Sequence, residues 1–292
     1  MIRSLLYVPA SSERFLAKAH ERGADAIILD LEDAVAPLEK ARARAALATA
    51  VPAVGRNGAT VFVRINAVAT GLALDDADAA CRAGAFGLLV AKVQTPDDLA
   101  LIDERLDFAE REIGRHEPVA LVPMLEDPGA VLDARAIAAA SRRAFALVSG
   151  SEDMATAMGA VPTPEVLRLP KLLVHLAAKA AGLYSFGMLR TVADFQDADG
   201  VAASAREARA FGFDGASCIH PSVVPILNAA FTPTPAEIDT ARRMIAGFEA
   251  AKAAGDGAFL FDGKMVDEPV VARARRVLAL ASNQESGVRR QD

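Results

Sequence analysis

Ala26-Ile27-Ile28-Leu29-Asp30-Leu31-Glu32-Asp33 is a short run, apolar on both faces, that ends in acids. A strand with one wet face alternates polar and apolar residues. A run without alternation suits a parallel strand covered by helices on both sides. The same pattern recurs in Ser4–Val8, Thr60–Ile65, Gly87–Val93, Val119–Leu125, Ala144–Ser149, Leu183–Met188 and Asp214–Ile219. Between these runs lie Ala-rich stretches of helical spacing, including Glu13–Arg22, Leu38–Thr49, Pro96–Arg115, Pro128–Ala140, Thr163–Ala181 and Gly200–Phe211. Eight strands alternating with seven helical stretches predict an α/β chain folded as a (β/α)8 TIM barrel, for which about 250 residues is typical. A doubly wound sheet is the alternative, but no Gly-x-Gly-x-x-Gly turn follows the first strand.

Helix punctuation agrees. Ser11 or Ser12 can cap the first helix, Thr95 can cap the helix after the fourth strand, and Pro37 and Pro96 suit first-turn positions. Gly23, Gly84, Gly182 and Gly212 fall where helices should stop. After residue 232 the pattern changes. Thr232-Pro-Thr-Pro-Ala leads into a helix from Glu237 to about Ala254, then a turn-rich stretch with Gly255, Gly257 and Gly263, then a helix from about Val270. The expected organisation is a barrel over 1–232 and a C-terminal helical extension over 233–292, whose last residues, from about Ser286, should fray. About 60 residues make too small a core for a full second domain.

The 292 residues are 52% hydrophobic and 24% charged, which excludes a disordered or fibrous chain. A net charge of −6 gives no basic footprint for nucleic acid, and base stacking has little to use in two Tyr and no Trp. No apolar stretch approaches the roughly 18 residues of a membrane span. The apolar run Leu5–Val8 before Pro9 is too short for a secretory signal. Cys81 and Cys218 form no Cys-x-x-Cys pair and suit packing as small hydrophobes in a reducing compartment. The expected setting is cytoplasmic.

The chemistry should lie where charge meets the apolar runs. Asp30, Glu32 and Asp33 end the second strand, Arg64 the third, Lys92 the fourth, Glu126 and Asp127 the fifth, and Glu152 and Asp153 the sixth. In a barrel these ends converge on one face, where active sites sit. Carboxylates with water are what a hard octahedral cation such as Mg2+ uses. His20, His116, His175 and His220 are scattered, so a zinc site is not expected. Mg2+ beside an Arg would polarise a carbonyl and stabilise an enolate, which suits making or breaking a carbon–carbon bond next to a carbonyl.

Arg3-Ser-Leu-Leu-Tyr-Val-Pro9, Asp30-Leu-Glu-Asp-Ala-Val35, Val63-Arg-Ile-Asn66, Glu126-Asp-Pro128, Gly150-Ser-Glu-Asp153 and Cys218-Ile-His-Pro221 resemble the citrate lyase beta subunit-like family of the HpcH/HpaI aldolase superfamily. The family includes malyl-CoA, citramalyl-CoA and citryl-CoA lyases. The motifs occur in order along nearly the whole chain. The resemblance implies a (β/α)8 barrel, Mg2+ with Mn2+ as a substitute, a CoA thioester and a 2-oxo acid as substrates, and a homotrimer or homohexamer. It also implies roles for individual residues. Glu126 and Asp153 resemble the two metal carboxylates, and Arg64 resembles the arginine that holds the oxo acid. Glu32 and Asp33 would orient metal-bound waters or fix Arg64. Phe261-Asp-Gly-Lys-Met-Val-Asp267 resembles a segment whose aspartate reaches a neighbouring subunit's site as general acid or base. Arg14 and Lys18, one helical turn apart, resemble basic residues that hold CoA phosphates.

Each residue also has a plainer reading. Glu126 could be a helix N-terminal acid, Arg64 an ion-pair partner of Asp30 or Glu32, Asp267 a helix cap, and Arg14 and Lys18 a solvated face. Lys92 has a Schiff-base reading, although the resembling proteins use a metal, and no catalytic role is assigned to His220. The resemblance points to a Mg2+-dependent lyase for 3-hydroxy-acyl-CoA. The alternatives are a CoA-independent pyruvate aldolase and a citrate lyase beta subunit acting on an acyl-carrier-protein thioester.

Overall fold

The structure, a computed structural model, describes residues 1–288. It divides into two compact units, Ile2–Ala229 and a smaller one beginning at Ala230.

The first unit is a (β/α)8 barrel. Its strands are β1 (Ser4–Pro9), β2 (Ala26–Asp30), β3 (Thr60–Ile65), β4 (Gly87–Val90), β5 (Ala120–Leu125), β6 (Ala146–Ser149), β7 (Tyr184–Phe186) and β8 (Ala216–Cys218). All pair in parallel in the order β7-β6-β5-β4-β3-β2-β1-β8. A bridge from Phe186 to Gly215 closes the ring beside β8. Closure needs a glycine there, because a Cβ on Gly215 would lie 2.2 Å from the Ile2 carbonyl oxygen. Every strand falls within or one residue beyond its predicted run. Such runs have few alternatives once both faces must be buried.

The helices depart further from expectation. Those foreseen are α1 (Glu13–Ala19), α2 (Lys40–Gly55), α4 (Pro96–Ile113), α8 (Pro164–Ala180) and α9 (Ala198–Phe211). Pro128–Ala140 is not one helix but two, α5 (Pro128–Leu132) and α6 (Ala134–Ala139), separated at Asp133. The stretch expected between the third and fourth strands, with its stop at Gly84, is α3 (Ala73–Arg82); the six-residue α7 (Glu152–Ala157) was not foreseen, and α10 (Val224–Ala230) follows β8. Pro96 opens α4 as expected, with Asp98 accepting from the Gln94 and Thr95 N–H groups.

The barrel interior is filled by Leu5, Ala26, Ile28, Phe62, Leu89, Val122, Met124, Ala146, Val148 and Phe186. Full burial of a Leu, Ile or Phe contributes roughly 1.5–3 kcal/mol, so this layer is a rigid floor for anything mounted above it. Cys81 and Cys218 are buried and free.

The smaller unit holds α11 (Pro235–Ala253), a hairpin of β9 (Phe259–Phe261) and β10 (Lys264–Val266), and α12 (Glu268–Val288). The extension is therefore not wholly helical. Its turn, Asp262-Gly263, has both residues at positive φ (48° and 74°), the geometry that Asp-Gly favours between two strands. Phe248, Val266 and Val271 form its small core. The rest of the expected frayed end, 289–292, lies outside the described residues. Among the described residues no helix is long and apolar enough to cross a membrane.

Candidate active site

Strand side chains alternate between faces, so a residue two beyond a barrel-filling one points the same way, further toward the C-terminal rim. That rule carries Leu5 to Tyr7, Ile28 to Asp30, Phe62 to Arg64 and Met124 to Glu126. All four charged or polar residues line a cavity of about 440 Å3. Glu152 and Asp153 line it from the start of α7, just after β6.

Arg64 is held from three sides. Its Nε and Nη2 donate to the two oxygens of Asp30 at 2.7 and 2.6 Å, and Nη1 lies 3.0 Å from Glu32. Its guanidinium sits 5.0 Å from the centre of the Tyr7 ring, a cation–π arrangement. Asp30 is itself fixed by the N–H groups of Glu32 (2.9 Å) and Ala34 (3.3 Å). The ion-pair reading of Arg64 is thus realised, but it does not use up the side chain. A guanidinium has five N–H groups, and these contacts occupy three.

Glu32 and Asp33 share a second cation. Lys92 Nζ contacts Glu32, and lies 3.3 Å from Asp33 and 3.7 Å from Asp153. Lys92 has φ 51°, unusual for a residue with a side chain, and in that conformation its own N–H donates to Glu126 Oε2 at 3.0 Å. These acids outweigh the effect of burial and raise the Lys92 pKa above its ordinary value. An amine kept protonated is no nucleophile, which argues against a Schiff base. Burial raises the Glu32 pKa, against the opposing pull of Lys92 and Arg64. Sequence reading overlooked Lys40, whose ammonium donates to the carbonyls of Leu31 and Glu32 (2.9 Å each) and to Asn66 Oδ1 (2.6 Å). It pins the backbone that presents Glu32.

Glu126 is 5% exposed, and its carboxyl is pushed up to about 7 by burial and by repulsion from Asp153 and Glu32. Gly150 makes room for it, since a Cβ there would lie 2.5 Å from Glu126 Oε1. Five carboxylates (Asp30, Asp33, Glu126, Glu152 and Asp153) line the cavity against two cations, Arg64 and Lys171. Among the described residues no three His, Cys, Asp or Glu side chains form a ready ligand shell. Mg2+ takes one or two carboxylates and keeps several waters, so Glu126 and Asp153 could hold it in this acidic cavity once Glu126 is ionised.

Arg14 and Lys18 are exposed on α1 and do not line the cavity. Arg14 lies 5.8 Å from the ring centre of Phe15, itself 52% exposed, and among the described residues neither cation is paired with an acid. Asp267 belongs to the smaller unit and caps α12, with its carbonyl accepting from Val270 and Val271 (3.0 Å each) and Oδ1 from Val270 (3.4 Å). His220 Nδ1 lies 2.7 Å from the Ser222 hydroxyl, and its ring stacks on Phe195. Lys171 went unnoticed in the sequence, although a Lys within the apolar stripe of an amphipathic helix is a readable signal.

A family model described as HpcH/HpaI aldolase/citrate lyase matches residues 3–221. A (3S)-malyl-CoA thioesterase from Cereibacter sphaeroides is 38% identical, over 96% of this chain and 94% of its own. The citrate lyase subunit beta of Leuconostoc mesenteroides subsp. cremoris is 34% identical, over 96% and 93%. Among solved structures, the protein CitE from Mycobacterium tuberculosis in complex with magnesium, acetoacetate and coenzyme A superimposes with a TM-score of 0.79. It shows 30% identity and covers 96% of this chain and 97% of that one.

Proposed function

The chain belongs to the HpcH/HpaI aldolase/citrate lyase family, and from that premise we propose a Mg2+-dependent carbon–carbon lyase. It cleaves, or in reverse forms, a 3-hydroxy-acyl-CoA of the malyl, citramalyl or citryl type, giving an acyl-CoA and a 2-oxo acid. The observation that carries this reading is the buried Glu126, which lines one cavity with Asp153 and a rigidly held Arg64. CitE, whose crystals hold magnesium, acetoacetate and coenzyme A, is similar over nearly the whole chain.

Glu126 and Asp153 would hold Mg2+, or Mn2+ in its place. When bound, the ion supplies a Lewis acid that polarises the oxo-acid carbonyl. Arg64 pairs with the oxo acid and offsets negative charge on its oxygen, most strongly in the transition state. Asp30 and Glu32 keep Arg64 from swinging away, and Glu32 and Asp33 orient water around the ion. In cleavage a base, a water or carboxylate of the cavity, takes the proton of the 3-hydroxyl, whose oxygen becomes the carbonyl oxygen of the oxo acid. The electron pair of the broken bond passes to the thioester as an enolate. Asp267 of a neighbouring subunit in a homotrimer or homohexamer then protonates the alpha carbon. Arg14 and Lys18 would bind CoA phosphates, with Phe15 exposed beside them. Buried free Cys81 and Cys218 suit a reducing, cytoplasmic setting.

A second reading is favoured by one likeness, that to a (3S)-malyl-CoA thioesterase. There the same site would hydrolyse the thioester. Both products should therefore be followed for malyl-, citramalyl-, methylmalyl- and citryl-CoA, each with Mg2+, with EDTA and with Asp267→Asn, which can still cap α12. The lyase reading expects EDTA-sensitive oxo-acid release that Asp267→Asn lowers by about 100-fold or more. Mixing Asp267→Asn with Glu126→Gln chains should restore part of it. Free thiol without oxo acid would establish the thioesterase. Turnover of free aldehydes, or only of carrier-protein thioesters, would replace CoA as the substrate.

A further inference from the structure

Lys171 is the cavity cation that no carboxylate contacts among the described residues. Residues Leu167, Lys171, Val174 and Ala178 form one buried stripe of α8, a helix packed on β6 and β7. Helical spacing puts an apolar residue at the second of these positions, yet an ammonium stands there, 4% exposed. It lines the same cavity as Glu126 and Asp153. Arg64 and Lys92 are each held by two or more carboxylates. Lys171 makes no ion pair or hydrogen bond among the described residues. Glu152 is the acid whose field reaches it, and the Thr191 hydroxyl donates to that carboxylate. Burial lowers the Lys171 pKa to about 8, so it remains mostly charged at neutral pH. A buried ammonium that no carboxylate contacts is costly, and an anion that contacts it on entering the cavity lowers that cost.

The position narrows the anion. Around the barrel the order is Arg64 after β3, Glu126 after β5, Glu152 and Asp153 after β6, and then Lys171 behind β6 and β7. The two cavity cations thus flank the acidic centre. A 2-oxo acid whose first carboxylate lies between that centre and Arg64 extends its far end toward Lys171. A residue this deeply buried in the barrel suits a small carboxylate rather than the bulky phosphates of CoA.

We propose that Lys171 receives a second carboxylate on the oxo-acid half of the substrate. The enzyme then favours thioesters that release a dicarboxylic 2-oxo acid over those that release a monocarboxylic one. This inference rests on the lyase reading and sharpens its substrate class.

The test compares kcat/KM for citryl-CoA, which yields oxaloacetate, with citramalyl-CoA, which yields pyruvate and has a methyl group in place of the second carboxymethyl. The wild type should favour citryl-CoA. Lys171→Met, similar in volume and uncharged, should lower the citryl-to-citramalyl ratio by about 100-fold, mainly through KM, and Lys171→Arg should recover part of it. A wild type that favours citramalyl-CoA, or a Met variant that slows both thioesters equally, overturns the proposal. If Lys171→Met does not fold, the wild-type ratio and Lys171→Arg still decide. Calorimetry of Mg2+-loaded protein with oxaloacetate and pyruvate separates the two layers. Absence of Mg2+-dependent binding of either acid overturns the lyase reading, whereas binding without preference for the dicarboxylate overturns only the role of Lys171.

Discussion

Gly150→Ala adds one methyl group and tests the geometry of Glu126 without touching its charge. The new Cβ would stand 2.5 Å from Glu126 Oε1, 2.6 Å from Cγ and 2.9 Å from Cδ. Gly150 is not among the glycines at positive φ, so its backbone can accept alanine. Relief therefore has to come from the glutamate. Restoring a separation of ~3.5 Å moves its carboxylate by about 1 Å, against the 3.0 Å hydrogen bond from the Lys92 N–H. Overpacking of this kind costs about 1–3 kcal/mol of stability, a melting shift of several degrees. A misplacement of about 1 Å in a catalytic ligand costs roughly 100-fold in rate. The expected result is a folded protein, a few degrees less stable, with kcat/KM down about 100-fold and a Mg2+ midpoint moved to higher concentration. Oxo-acid release measured across a Mg2+ titration, beside a thermal melt, reads all three. Unchanged kcat/KM and Mg2+ midpoint would refute the placement of Glu126 at the metal.

Glu126 also predicts a pH dependence in the metal-free protein. Its folded pKa, about 7, lies above the 4.5 of an ordinary glutamate, so between these pH values the folded state binds more protons than the unfolded one. Stability should fall as pH rises through that window, by at most about 3 kcal/mol, and level off above it. Melting curves with EDTA should show the decline, and Glu126→Gln should remove it. Asp30→Asn removes the bidentate partner of Arg64 and leaves it Glu32 at 3.0 Å and Asp33 at 3.9 Å. Breaking a buried pair from one side costs about 3–5 kcal/mol, and kcat/KM should fall at least tenfold beyond what the melt explains; equal losses in both would make Asp30 purely structural. Arg14→Ala with Lys18→Ala should raise KM for CoA thioesters by about tenfold, more at low salt, and leave Mg2+-dependent oxo-acid binding unchanged. Calorimetry with pyruvate checks the second half.

The strands were legible because burial on both faces leaves a mark that needs no partner, an apolar run of fixed length. The elements missed are those whose signal is weak or contextual. The helix α7 has only six residues, too few for a 3.6-residue period to show. Asp262-Gly263 is a hairpin signal, but it sits between strands of only three residues, too short for alternation to show. The charged ends of the apolar runs also foretold which residues crown the strands, among them Asp30, Arg64 and Glu126. It could not foretell how they pair. The bidentate contact of Arg64 with Asp30, and the grip of Lys92 on Glu32, Asp33 and Asp153, join residues 34, 60, 59 and 61 positions apart. Only closure of the barrel brings them together.

Lys171 shows the difference most plainly. The sequence by itself fixed a lysine in the buried stripe of a helix, a local fact set by 3.6-residue periodicity. That the stripe faces a cavity, and that among the described residues no acid contacts the ammonium, depend on how β6, β7 and α8 pack. Ladder pairing and helix periodicity are local and leave their pattern in the chain. A cavity is what remains when distant elements have packed, so its lining and its charge balance exist only in three dimensions.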